Sequence, residues 1–167
     1  MWPAGVVGSM THCDGYRCAA LAPATSVVSV GVDAEPHAAL PDGVLDAIAL
    51  PTERARTAAL RATDPTVCWD RLLFSAKESV YKAWFPLTGR WLDFSEADIV
   101  VEPDGTFAAR LLVPGPVLDG TEVTTFPGRF LVEDGLILTT VTLPTRFRPG
   151  RDGAGPLLVT RRQEGPG

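Results

Sequence analysis

Lysine is almost missing from this chain. Of 15 lysine and arginine side chains only Lys77 and Lys82 are lysines, and they lie in one short stretch, "FSAKESVYKAW" (74–84). Basic charge is also in deficit: 20 acidic residues leave a formal net charge of −5. A chain without a basic field is disfavoured as a non-specific binder of nucleic acid or of an anionic membrane. Long apolar runs are absent too, and none approaches the roughly 20 residues a membrane-spanning helix needs. The opening "MWPAGVVGSM" lacks the basic region and long apolar stretch of a signal peptide. Cysteine is scarce, three residues at uneven spacing, which does not make a disulfide framework. The expected location is therefore the cytoplasm. What is present is ordinary for a globular protein: 167 residues, 46% hydrophobic and 21% charged. That is one domain's length with enough apolar content for a real core.

The local patterns predict an α+β order. Residues 5–22 read as a β-hairpin around Asp14-Gly15, a pair suited to a tight turn. Ser26–Asp33 is β-branched and short, a buried strand stopped near Pro36. Residues 41–64 switch to helix formers, with Asp42 and Thr52 as N-caps of two short helices separated at Pro51. A longer helix is bounded by Asp64 as N-cap, Pro65 in the first turn, and Pro86 and Gly89 at the end. Within it Trp69, Leu72, Leu73, Ala76, Val80 and Ala83 form one apolar stripe. Residues 97–113 and 128–143 are strand pairs around Asp104-Gly105 and Asp134-Gly135. The expected domain is 1–143; residues 144–167, rich in Pro, Gly and Arg, read as a disordered tail.

Three carboxylates stand out. Asp33 and Glu35, spaced i, i+2, share one face if the strand persists through Glu35. With a third acidic oxygen they suit Mg²⁺, which prefers oxygen ligands. The bland alternative is a solvated strand end. Glu78 lies mid-helix with Lys82 at i+4, so a surface ion pair is one explanation. A capping box, Ser75-x-x-Glu78, is another. Against the capping box, the apolar stripe runs straight through Ser75 from Trp69; against the surface pair, Tyr81, Trp84 and Phe85 leave little purely polar face, and a buried glutamate needs a metal or cation beside it. Compact ammonium groups on flexible stems suit phosphate oxygens whose charge changes. Together these residues describe metal-assisted phosphoryl chemistry. In "THCDGYRC" (11–18), His12, Cys13 and Cys18 lack the spacing of a zinc site. Thr11 and His12 both carry donors able to hold a phosphate.

These residues resemble a known family. "GVDAEP" (31–36) followed by "FSAKESVYKAW" (74–84) is similar to the paired signature of the 4'-phosphopantetheinyl transferases, of the surfactin- and enterobactin-synthetase type. "WPAGVVGSMTHCDGYRCAA" (2–20) resembles the segment preceding that signature, and the resemblance runs from about Trp2 to Leu143. It implies a fold with an antiparallel sheet packed on a long helix, the second of two pseudo-repeats complete and the first shortened at its N-terminal side. It also implies transfer of phosphopantetheine from coenzyme A to a serine of an acyl or peptidyl carrier protein, releasing adenosine 3',5'-bisphosphate. Asp33, Glu35 and Glu78 would then hold Mg²⁺, with Glu78 also the base for the carrier serine. Lys82 would steady the diphosphate and the departing phosphate, while Lys77, Thr11 and His12 would contact coenzyme A phosphates.

Basic residues that the resemblance would place ahead of "WPAGVVGS" are not in the chain, and Arg17 is the one lysine or arginine before Arg54. Two other readings follow: a truncated, inactive relative that only binds carrier protein or coenzyme A, or a phosphodiesterase using the same carboxylates. The expected state is a monomer without nucleic-acid or membrane partners.

Overall fold

The computed structural model describes residues 2–145 and, as backbone, 158–163. Strands β1 (Val6–Cys13) and β2 (Tyr16–Pro23) form the first hairpin, and β3 (Val27–Pro36) follows. Helices α1 (Val44–Ile48), α2 (Pro51–Thr63) and α3 (Trp69–Thr88) come next. After a short helical turn at Phe94–Glu96 come β4 (Ala97–Glu102), β5 (Thr106–Leu111), β6 (Val117–Leu118), β7 (Thr121–Glu122), β8 (Thr125–Glu133) and β9 (Leu136–Pro144). A further strand, β10, spans Leu158–Gln163.

The main sheet is antiparallel, in the order β3-β9-β8-β5-β4. Leu73, Ala76, Val80 and Ala83 of the α3 stripe are buried with Ile99, Phe107, Phe126 and Val141, and Trp69 and Leu72 are buried with Ile137, so the periodicity of that helix is satisfied as expected. A second layer, β1-β2-β10, covers the other face of β3, where Tyr16, Cys18 and Ala20 meet Val30, Val32 and Ala34. The architecture is α+β, and no helix among the described residues is long and apolar enough to cross a membrane. The Asp-Gly turns connect their strands as the sequence indicates, with Asp134 and Gly135 both at positive φ.

Helix starts differ from expectation. Neither Asp42 nor Thr52 is an N-cap; α1 starts after Gly43 and α2 after Leu50. Pro51 takes the first position of α2, and Glu53 Oε2 reaches back to accept from Leu50 N at 2.7 Å, closing that helix start. Asp64 does not start α3 but ends α2, its N–H donating to Leu60 O at 2.8 Å. Its side chain bonds Thr66 N at 3.0 Å in a local turn, so the chain re-enters helix only at Trp69. His37, with no sequence-based role, accepts from Cys68 N at 3.1 Å at that start. Of the tail expected to be disordered, Leu158–Gln163 pairs with β2 as β10, and residues 146–157 and 164–167 lie outside the described residues.

Candidate active site

β3 stays extended through Glu35, so alternate residues Ser29, Gly31, Asp33 and Glu35 face α3. Close approach depends on Gly31. A Cβ there would lie 1.9 Å from Ser79 O and 2.9 Å from Ala83 N, inside van der Waals contact with the helix backbone. Ser29 Oγ locks the same crossing by donating to Ala83 O at 2.7 Å. The helix therefore runs against the strand, and Arg71, Ser75, Glu78 and Lys82 (i, i+4, i+7, i+11) form a polar stripe along the carboxylate end of β3.

Asp33 is 4% exposed and fully engaged. Lys82 Nζ lies 2.7 Å from its Oδ1, Ser75 Oγ donates to Oδ2 at 2.8 Å, and Thr11 Oγ1 donates to Oδ1 at 3.2 Å. Glu35 pairs with Arg71 at 2.9 Å, and Arg71 also donates to Ala38 O and Ala39 O. Glu78 is half-buried and makes no hydrogen bond or ion pair among the described residues. Burial, then the Asp33 charge, push its carboxyl above the ordinary range, against the pull of Lys82. Glu35 is raised in the same way, by burial and then Asp33, more than Arg71 lowers it. Cys13 sits close enough for burial, then Glu35 and Asp33, to push its thiol up, which makes it a weak nucleophile.

As they lie, no three acidic, histidine or cysteine side chains among the described residues stand close enough to hold a metal ion. The donor set nevertheless fits a hard cation: all oxygen, clustered at one strand end, with Glu78 half-buried, unpartnered and repelled by its neighbours.

Three expected phosphate ligands are placed differently from one another. Thr11 is buried, bonding Asp33 and accepting from Ala34 N at 3.2 Å, so it braces β3 instead of facing a ligand. His12, the next residue on the strand, is exposed, and the pleat turns it to the opposite face. Lys77 points away from Asp33 altogether. Its ammonium pairs with Glu53 at 3.0 Å and donates to Phe94 O at 2.7 Å and Ala97 O at 2.9 Å, with the side chain 2% exposed. All three N–H groups are used, so Lys77 as placed has none left for a phosphate. Arg71 and Thr139 (whose Oγ1 donates to Ser75 O at 2.9 Å) carry no sequence-based role, and Ser75, weighed as a helix cap, instead holds Asp33. The signal for Arg71 and Ser75 was the polar stripe opposite the apolar one.

Beside Glu78 a cavity of about 280 Å³ opens, lined by Val80, Tyr81, Trp91, Leu92 and Phe94. The Tyr81 and Trp91 rings pack at a tilt with centroids 4.9 Å apart, and Trp91 is 70% exposed at the rim. An anionic cluster with one lysine thus adjoins a largely apolar recess.

The chain belongs to the 4'-phosphopantetheinyl transferase superfamily, whose family model matches residues 29–128, and the model of the 4'-phosphopantetheinyl transferase N-terminal domain matches residues 1–22. Among particular proteins, it is 59% identical over 143 residues to the 4'-phosphopantetheinyl transferase Svp of Streptomyces mobaraensis, covering 85% of this chain and 58% of that one. It is 54% identical over 150 residues to the 4'-phosphopantetheinyl transferase Npt of Nocardia iowensis, covering 84% and 66%. With the 4'-phosphopantetheinyl transferase PptT of Mycobacterium tuberculosis it shares 53% over 147 residues, 85% and 64%. The chain therefore spans under two thirds of the length of these relatives.

Proposed function

We propose that the protein moves 4'-phosphopantetheine from coenzyme A to a serine hydroxyl of an acyl or peptidyl carrier protein, in the cytoplasm. The observation that carries this reading is the half-buried, unpartnered Glu78 beside Asp33 and Glu35, with Lys82 2.7 Å from Asp33. Asp33, Glu35 and Glu78 would hold Mg²⁺, which when bound neutralises the diphosphate of coenzyme A. Glu78 takes the serine proton, directly or through a water. The serine oxygen bonds to the phosphorus that carries the pantetheine arm, and the bond from that phosphorus to the bridging oxygen breaks. Adenosine 3',5'-bisphosphate leaves with that oxygen, and Lys82 stabilises the charge it acquires. The recess along Tyr81, Trp91, Leu92 and Phe94 is of a size and character to take the pantetheine arm. Thr11 and Ser75 keep Asp33 oriented, and exposed His12 remains free to meet an outer phosphate. On this reading the main sheet with α3 is the complete second pseudo-repeat and the β1-β2 layer belongs to the first. Named transferases at 53–59% identity support the transfer reading.

The test is product release from coenzyme A and Mg²⁺ with three acceptors: apo carrier protein, the same carrier with its serine replaced by alanine, and none. Release of adenosine 3',5'-bisphosphate with the intact carrier alone supports transfer. Release without an acceptor would instead indicate a phosphodiesterase.

A further inference from the structure

Lys77 and Glu53 form an ion pair closed to water, with side chains 2% and 0% exposed. Every polar atom in it has a partner. Glu53 Oε1 accepts from Lys77 and from Ile99 N at 2.7 Å, and Oε2 accepts from Leu50 N at 2.7 Å. Lys77 spends its other two hydrogens on Phe94 O and Ala97 O. Burial lowers the Lys77 ammonium below its ordinary value, and Glu53 pulls it back. Such a pair is seldom worth more to stability than apolar residues of the same shape, so its use lies in the geometry it dictates.

That geometry is the wall of the recess beside Glu78. The segment Trp91–Ala97 supplies Trp91, Leu92, Asp93, Phe94 and Ala97 to the cavity, and α3 supplies Lys77, Glu78, Val80 and Tyr81. The segment is braced within itself: Asp93 Oδ1 accepts from Ser95 N at 2.9 Å, and Glu96 Oε2 accepts from Asp93 N at 2.8 Å. Its sheet end is held by Leu112 N, which donates to Glu96 O at 2.8 Å, and by the pairing of Ala97 with Leu111; on the α3 side it is held by the two carbonyls bonded by Lys77. Phe94 also leans on Phe74 of that helix, with centroids 6.2 Å apart.

We propose that Glu53, acting through Lys77, is a positioning residue that sets the width of the recess next to Glu78, and with it the affinity for the thiol-ended arm of the donor. The assignment of the arm to this recess rests on the function proposed above; the clamp itself does not. The variant to use is the double Glu53→Leu/Lys77→Met, which removes both charges together and keeps a comparable volume. Two readouts are taken on the full chain: hydrogen exchange of amides 91–97, and dissociation constants for coenzyme A and for adenosine 3',5'-bisphosphate, which lacks the arm. The expected result is faster exchange at 91–97 with α3 still protected. Coenzyme A binding should weaken roughly tenfold while adenosine 3',5'-bisphosphate binding holds. Should the double variant not fold, Glu53→Asp keeps the charge with too short a reach for all its partners, and is read the same way. Unchanged exchange in a folded variant overturns the clamp. Faster exchange with coenzyme A affinity unchanged overturns its role in arm affinity. Wild-type protein that binds neither ligand counts against the transferase reading, and exchange then decides the clamp alone.

Discussion

Lys82 Nζ stands 2.7 Å from Asp33 Oδ1 and 3.2 Å from Val32 O, so α3 delivers its ammonium directly onto the strand that carries the acidic pair. Replacing Lys82 by methionine leaves the buried Asp33 carboxylate with two hydroxyl donors, from Thr11 and Ser75. The expected loss of stability is about 1–3 kcal/mol, read by urea unfolding. Transfer should fall roughly a hundredfold or more, as when a preorganised donor to developing charge is removed. Lys82→Arg should recover stability better than rate, because the guanidinium is wider and cannot shed a proton.

Gly31 is expected to be the least replaceable residue of "GVDAEP". The added methyl of Gly31→Ala meets helix backbone at 1.9 Å, where no side chain can rotate away. Either the protein loses about 1–3 kcal/mol, or α3 shifts and withdraws Lys82 from Asp33. Thermal unfolding measures the first and transfer rate the second; a variant normal in both would remove the close crossing from the account.

Glu78 should weaken the metal-free fold as pH rises. Its carboxyl is raised above the ordinary value of 4.5, by burial first and then by Asp33. The folded state therefore holds the proton more tightly than the unfolded one. Its stabilising contribution is complete below 4.5 and is lost as pH rises through the folded value. At neutral pH with chelator, Glu78→Gln should then unfold at a higher temperature than wild type, and the difference should shrink on acidification. Added Mg²⁺ should raise the unfolding temperature of wild type and much less that of the variant. A wild type indifferent to Mg²⁺ would count against the metal assignment.

Much of this was legible in the sequence where the signal is local. The apolar stripe of α3, the Asp-Gly turns and the paired motifs are patterns within one element or between neighbours. Lys77 shows both what was readable and what was not. Five residues on a helix turn the side chain by about 140°, so Lys77 and Lys82 were never going to face the same phosphate, whereas Glu78 and Lys82 lie about 40° apart. Likewise Thr11 and His12, adjacent on a strand, had to diverge. What no local pattern could reveal is Lys77's partner: Glu53 sits on a different helix with the appearance of a surface glutamate, and only the packing of α2, α3 and β4 brings them together. The helix starts failed for a related reason, since His37 and Glu53 close them in place of the expected Asp64 and Thr52.

The most direct test is the intact mass of an apo carrier protein after incubation with this protein, coenzyme A and Mg²⁺, alongside a Glu78→Ala control. Each carrier should gain one phosphopantetheine, and the gain should be abolished by chelator and by the substitution. An unmodified carrier, in the presence of folded protein that binds coenzyme A, would contradict it and leave a binding relative in place of a transferase.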